Sequence, residues 1–281
     1  MTTETLPASA GKQTVVLLHG GRSSEHEISC VTTAGIFSAI DRERFDVVLV
    51  GITKAGQTVL LGEGDLAGYA LDAAELPQVR DNGTRVLWPL SPGDRNLTVI
   101  GPDGRVQPVA EIDVVFPVLH GPFGEDGTVQ GMLELVDVPY VGAGVLASSL
   151  CMDKHFTKLV LAESGIRVAP GRTIRRGQLE RNPELLAQAD AGLSYPLFVK
   201  PLRAGSSVGV SRVAEAAEIP AALDLAFESD DAVLIESGVV GREVEIAVLG
   251  GRAGQSPRAS AVAGEIVMNG DGFYDYEAKY L

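Results

Sequence analysis

The chain predicts a parallel α/β fold at its N-terminal end, followed by an α+β part built on an antiparallel sheet. Three observations carry this expectation. Short, wholly apolar runs, Val15–Leu18 and Val47–Ile52, flank a stretch with helical spacing, which is the pattern of a strand–helix–strand unit. A third run of this kind, Asp113–Leu119, ends in a glycine-rich loop. Beyond about residue 192, several short strands are interrupted by a single helix.

Taken in order, Val15–Leu18 reads as a buried strand that runs into Gly20-Gly21. Ile28 to Ile40 has helical periodicity; Ser23 or Ser24 can cap it, and Glu27 places an acid in the first turn. Residues 62–108 are rich in Gly, Asp, Pro and Asn and read as loops and edge strands. A helix follows from about Thr128 to Val136, then a short strand at Pro139–Val141. A further helix runs from about Asp153 to Ser164, with Gly165 as its C-cap. The expected strands of the last part are Pro196–Pro201, Val208–Val213, Val233–Glu236, Glu243–Leu249 and Glu265–Met268, with a helix at about Ala214–Glu228. These readings give a tail at 1–12 and domains at 13–110, 111–192 and 193–281.

Composition bounds function. Formal net charge is −14, with 45% hydrophobic and 21% charged residues. An acidic surface gives nucleic-acid binding no support, and any site for an anion must concentrate its own Lys and Arg. Cys30 and Cys151 are too far apart for a zinc or disulfide spacing and suit a reducing cytosol. Met1–Lys12 lacks the pattern of a signal peptide, and no apolar run approaches the ~18 residues of a membrane span. A soluble, cytoplasmic protein is expected.

Several loops could carry chemistry. Phe198-Val199-Lys200-Pro201 followed by Gly205-Ser206-Ser207-Val208-Gly209 places a lysine at a strand end beside a Gly/Ser loop. This is an anion cradle or, equally, a hairpin with a snorkelling lysine. Gly142-Ala143-Gly144-Val145-Leu146-Ala147 matches a dinucleotide fingerprint but lacks the later acidic residue, so a tight turn accounts for it better. His120, Glu125 and Asp126 could ligate a metal, or Asp126 could brace its loop. Glu25 could receive a substrate ammonium or serve a helix N-terminus. Glu236 and Glu243 flank a segment able to hold a purine through backbone groups, or a plain hairpin.

In this order the motifs resemble the D-alanine–D-alanine ligases of the ATP-grasp superfamily, from His19 to Leu281. The segments are Gly20 to Ser29 (GGRSSEHEIS), His120 to Gly131 (HGPFGEDGTVQG), Met152-Asp153-Lys154, Lys200-Pro201 with Gly205–Gly209, and Phe273 to Tyr280 (FYDYEAKY). The resemblance implies a three-domain architecture that clasps ATP between antiparallel sheets. It implies two steps: ATP phosphorylates the carboxylate of one D-alanine, and the amine of a second attacks the acyl phosphate. It also implies ATP with two Mg²⁺ (or Mn²⁺ in their place), a role in peptidoglycan precursor synthesis, and a homodimer.

Residue by residue, Glu25 resembles the carboxylate that orients the first ammonium, with Ser206 and Tyr280 as its partners. Lys154, Lys200 and Lys279 resemble phosphate contacts, and Ser207 falls in the same nucleotide loop. Glu236 and Val239 correspond to adenine contacts, Glu243 to the ribose contact, and His120 to a neighbour of the second substrate. The intact FYDYEAKY pattern favours D-alanine as second substrate. Two departures stand out. Position 237 is Ser where many members carry lysine. The chain ends at Leu281, and the resemblance places the metal ligands beyond it, so this chain is expected to lack a metal site and could lack turnover. The alternatives are a fragment that only binds substrate or nucleotide, and an ATP-grasp ligase with a different acceptor.

Overall fold

The computed structural model describes residues 11–70, 76–250 and 255–267. The chain divides into two compact units at Met152/Asp153. The first opens with β1 (Gln13–Gly20), α1 (His26–Ala39), β2 (Phe45–Ile52) and β3 (Thr58–Leu61). A small three-stranded antiparallel sheet follows: β4 (Arg85–Leu87), β5 (Asn96–Ile100) and β6 (Val106–Glu111). Then come β7 (Val114–Pro117), α2 (Thr128–Leu135) and α3 (Val145–Met152).

The main sheet has the order β3-β2-β1-β7, with β1 parallel to both β2 and β7 and β3 antiparallel at the edge. Strand β1 is buried on both faces, which is why its sequence is continuous rather than alternating. Val16 and Leu18 join Val48, Val50, Leu97, Ile112 and Leu133 in one core; Val15 and Leu17 join Val47, Leu49, Leu66 and Val118 in the other. The segment 62–108, expected as loops and edge strands, thus contributes β4 and β5, whose Val86 and Leu97 close the first core.

The second unit contains α4 (Lys154–Glu163), β8 (Gly171–Arg175), α5 (Arg176–Arg181), β9 (Leu197–Pro201), β10 (Ser211–Val213), α6 (Ile219–Phe227) and β11 (Ala232–Ser237). Two short ladders follow, β12 (Glu243–Glu245) with β15 (Gly264–Ile266), and β13 (Val248–Leu249) with β14 (Arg258–Ala259). The main sheet is antiparallel, β10-β9-β11-β8, and α6 packs Leu223, Ala226 and Phe227 against Leu197, Val199, Val233 and Ile235.

The expected boundaries near 110 and 192 do not separate compact units. Strand β7 pairs with β1, and β8 and β9 both pair with β11. Several elements differ from expectation. Strand β8 and helix α3 were not foreseen. The strand expected over 208–213 shrinks to β10, because Ser206, Ser207 and Gly209 all have positive φ. The short strand at 139–141 is a single bridge, Val115 to Tyr140. The expected helix over 214–228 is α6 preceded by a 3₁₀ turn at Ala216–Glu218. The strand expected over 243–249 splits into β12 and β13, and Met268, the end of another expected strand, lies outside the described residues.

Ser29 on α1 ties the sheet together. Its buried hydroxyl accepts from the Gly20 N–H at 2.8 Å and donates to the Val118 carbonyl. Ser29→Ala strands both groups away from water, so the expected loss is about 1–3 kcal/mol. Urea unfolding should show a lower midpoint at unchanged slope.

Candidate functional site

In the first unit, the loops after β1 and β7 carry the chemistry. Parallel neighbours deliver both loops at the carboxyl ends of adjacent strands, where such sheets bind ligands. The turn at Gly20 has φ +84°, a conformation open to glycine, and any side chain there would strike the Ile52 carbonyl. Glu25 follows at the N-cap position of α1, only 5% exposed. It makes no side-chain cap hydrogen bond, and neither Ser23 nor Ser24 caps the helix; the Ser23 hydroxyl accepts from the Glu25 N–H at 3.2 Å instead. Gly121 lies so close that a Cβ there would sit 2.9 Å from Glu25 Oε2, so the second loop must carry glycine.

The next residue, His26, is fully buried. Its Nδ1 lies 2.6 Å from the Gly21 carbonyl and its Nε2 accepts from the Val79 N–H at 2.9 Å. Those two partners require a neutral ring protonated on Nδ1. Burial lowers its pKa, opposed by the Gly21 carbonyl and Glu27.

The His120 loop is braced from within. Asp126 accepts from the N–H groups of Phe123 (2.9 Å) and Thr128 (3.0 Å), and Glu125 accepts from the Gly121 N–H at 2.7 Å. Burial disfavours the charged form of Asp126, but those donors outweigh it and hold its carboxyl below the ordinary value. Glu125 and Asp126 therefore act as loop supports. His120 differs: its buried Nε2 has no hydrogen-bond partner among the described residues. An orphaned buried nitrogen is costly, which makes it a candidate ligand contact. It faces a cavity of about 210 Å³ whose wall includes Leu119, Pro122, Trp88 and Arg22; the last stacks over Phe123 at 4.6 Å.

In the second unit, charge gathers at the end of β9. Glu236 on β11 receives Lys200 on Oε1 at 2.5 Å and Lys158 on Oε2 at 2.6 Å. Burial raises the pKa of Glu236, but the two lysines outweigh it and keep the carboxyl below its usual range. Lys154 reaches the carbonyls of Pro201 (3.1 Å), Leu202 (3.1 Å) and Ala204 (2.6 Å). Burial and the Lys200 charge lower its pKa to about 8. All three donors of its ammonium are thus engaged on the strand end that opens the Gly/Ser loop. Ser206 (φ +48°) and Ser207 (φ +59°) hold left-handed conformations there. Asp230 fixes the start of the same loop, accepting from both the main chain (2.9 Å) and the guanidinium of Arg203.

The structure thus brings Lys154, Lys200, Glu236 and the Ser206–Ser207 loop together, and sets Glu25 beside the His120 loop. Val239 and Glu243 are exposed on and after the connection leaving β11. Lys279 and Tyr280 lie outside the described residues. Ser237 is buried and accepts from the Ser194 N–H at 2.9 Å, a closing role for a position where lysine was anticipated. Sequence reasoning missed Lys158; the signal was its place one helical turn after Lys154. It also missed His26, whose partner Val79 is distant in sequence.

The family model described as D-ala D-ala ligase N-terminus matches residues 14–143, and D-ala D-ala ligase C-terminus matches 160–281. The chain is 47% identical over 277 residues to a D-alanine–D-alanine ligase of Pseudarthrobacter chlorophenolicus, covering 98% of this chain and 72% of that one. It is 48% identical over 279 residues to the corresponding ligase of Arthrobacter sp. (strain FB24), covering 99% and 72%. Among solved structures it is similar to the VanG D-Ala:D-Ser ligase of Enterococcus faecalis, with TM-score 0.76, 35% identity and coverage of 96% and 74%. The D-alanine–D-alanine ligase of Coxiella burnetii gives TM-score 0.72, 32% identity and coverage of 91% and 71%. By fold, this is an ATP-grasp ligase. Within that class, the chain belongs to the D-alanine–D-alanine ligase family.

Acid should weaken the first unit through His19, which is fully buried on β1. Burial lowers its pKa from 6.5 to about 4, against a weaker opposing pull from the Leu17 carbonyl. Between those values the unfolded chain takes up a proton that the folded one refuses. Stability is therefore full above pH 6.5 and falls as pH drops toward 4, by about 3 kcal/mol for this group. Urea unfolding at pH 7 and pH 4 should show that His19→Leu loses less stability across the interval than the parent, by about that amount.

Proposed function

We propose that this chain joins two D-alanine molecules into D-alanyl-D-alanine, using ATP. The observation that carries the reading is the lysine cluster beside a Gly/Ser loop in a family member of net charge −14. So strong a local reversal of charge suits a polyphosphate. Similar proteins at 47–48% identity bear the name D-alanine–D-alanine ligase.

In this reading Glu25 takes the ammonium of the first D-alanine, in a buried setting that strengthens the attraction. Lys200 and the N–H groups around Ser206 and Ser207 neutralise phosphate oxygens, with Lys154 bracing the loop and adding its charge. A carboxylate oxygen of the first D-alanine bonds to the terminal phosphorus of ATP as ADP departs. The amine of the second D-alanine then bonds to the acyl carbon, loses a proton, and phosphate leaves. His120 Nε2 offers a polar contact to the second substrate. Glu236 and Val239 serve adenine and Glu243 the ribose. Tyr280 and Lys279 complete the two sets of contacts. Magnesium, or manganese, supplies further neutralisation of the phosphates when bound, as two ions. Among the described residues no group of three or more His, Cys, Asp or Glu is placed to hold a metal.

The reading extends to a cytoplasmic homodimer that feeds peptidoglycan synthesis. No helix among the described residues is long and apolar enough to cross a membrane. The likeness to a D-Ala:D-Ser ligase supports a second reading, in which D-serine is the acceptor.

Coupled measurement of ADP with ATP, Mg²⁺ and D-alanine tests both. D-alanine should drive ADP release with equimolar dipeptide, while L-alanine gives none. ADP release that ignores the amino acid sinks the ligase reading, and its absence decides for a fragment that only binds substrate or nucleotide. A preference for D-serine over D-alanine in the second step decides for the alternative. Glu25→Gln should lower kcat/KM for the first D-alanine about 10- to 100-fold, as expected for a charged hydrogen bond of about 1.5–3 kcal/mol.

A further inference from the structure

A carboxylate with one lysine on each oxygen is more than phosphate binding requires. Glu236 is largely buried, with a side chain 16% exposed, and its two partners Lys158 and Lys200 are 20% and 21% exposed. The other charged groups nearby are committed. Lys154 is held by three carbonyls, and Asp230 by Arg203. Among the described residues, Lys200 therefore has one anionic partner in the structure, and Glu236 has two cationic ones.

We propose that Lys158 is a positioning residue for nucleotide binding: it is the standing counter-ion of Glu236, which lets Lys200 turn from Glu236 to a phosphate. The inference rests on the reading of Lys200 as a phosphate contact. Were Lys200 the only partner, its departure would leave a buried carboxylate unpaired, and that penalty would be subtracted from the affinity for ATP. Lys158 removes the penalty. It reaches Oε2 from α4 while Lys200 reaches Oε1 from β9, so one ammonium can leave without disturbing the other. The flexible four-carbon stem of Lys200 allows the reorientation.

Calorimetric titration of the whole 281-residue chain with ATP–Mg²⁺, and separately with adenosine, tests this. Lys158→Met should weaken ATP about tenfold or more and leave adenosine within twofold, because with adenosine bound Lys200 stays on Glu236 and keeps the carboxylate that serves adenine paired. Lys158→Arg should keep ATP affinity within about threefold. If the methionine variant does not fold, Lys158→Gln takes its place. In a Glu236→Gln background, adding Lys158→Met should cost less than twofold, since a neutral amide needs no counter-ion. Equal losses for ATP and adenosine would assign Lys158 to general structure, and a tenfold loss that persists beside Glu236→Gln would assign it to direct phosphate contact; either overturns the proposal. Unchanged ATP affinity in Lys158→Met overturns it too while leaving the nucleotide reading intact. Failure of the parent chain to bind ATP removes both.

Discussion

Two-sided burial of β1 is the constraint on which the first unit depends. Val15, Val16, Leu17 and Leu18 are each at most 4% exposed, so the strand needs a packed layer on both faces and a hydrogen-bonded neighbour on both edges. Parallel neighbours meet that need, and they bring the ends of β1 and β7 to the same edge of the sheet. The loops bearing Glu25 and His120 are therefore neighbours because the strands beneath them are. Ser29 reinforces this by bonding a backbone group from each strand's end region. The glycines follow from the crowding, as Gly20 meets the Ile52 carbonyl and Gly121 meets the Glu25 carboxylate.

In the second unit, electrostatics takes the place of apolar crowding. An acidic chain that handles a polyanion must hold its lysines against their mutual repulsion. Lys154 does so by giving its donors to main-chain carbonyls, which also fixes the strand end leading into the Gly/Ser loop. That geometry qualifies its expected role as a phosphate contact, since its hydrogen bonds serve the loop. Lys158 and Lys200 are held by a shared carboxylate, which cancels only part of their charge and leaves the cluster positive.

What could be read in advance was local. The runs of β1 and β2 depend on neighbouring residues, and so does the end of α4, where Gly165 takes φ +78° as its type suggests. The motifs placing Glu25, Lys154, Lys200 and Glu236 were legible for the same reason. Strand β8 was not, since Gly171–Arg175 has a single buried side chain, Ile174, and its strand character comes from pairing with β11, sixty residues away in sequence. Nor was the unit boundary legible: whether Val114–Pro117 closes one sheet or opens another is decided by its register with β1. Lys158 was not singled out, because its partner Glu236 lies on β11, far along the chain.

The two units also meet the cost of buried ionisable groups in opposite ways. The first keeps His19 and His26 neutral by burial. His19 has only long polar contacts, to the Leu17 carbonyl and the Tyr69 hydroxyl, and His26 has both nitrogens committed, one toward a carbonyl and one to an N–H. A proton added to His26 would break the Val79 bond and put charge into the layer beneath Glu25, and burial holds that proton off. The second unit keeps Glu236 charged and paired, its carboxyl held below the usual range by the lysines around it. On the proposed reading, a neutral support suits a site whose carboxylate selects an ammonium, because a second charge nearby would blur that selection. On the same reading, a paired cluster suits cations that change partners when phosphate arrives.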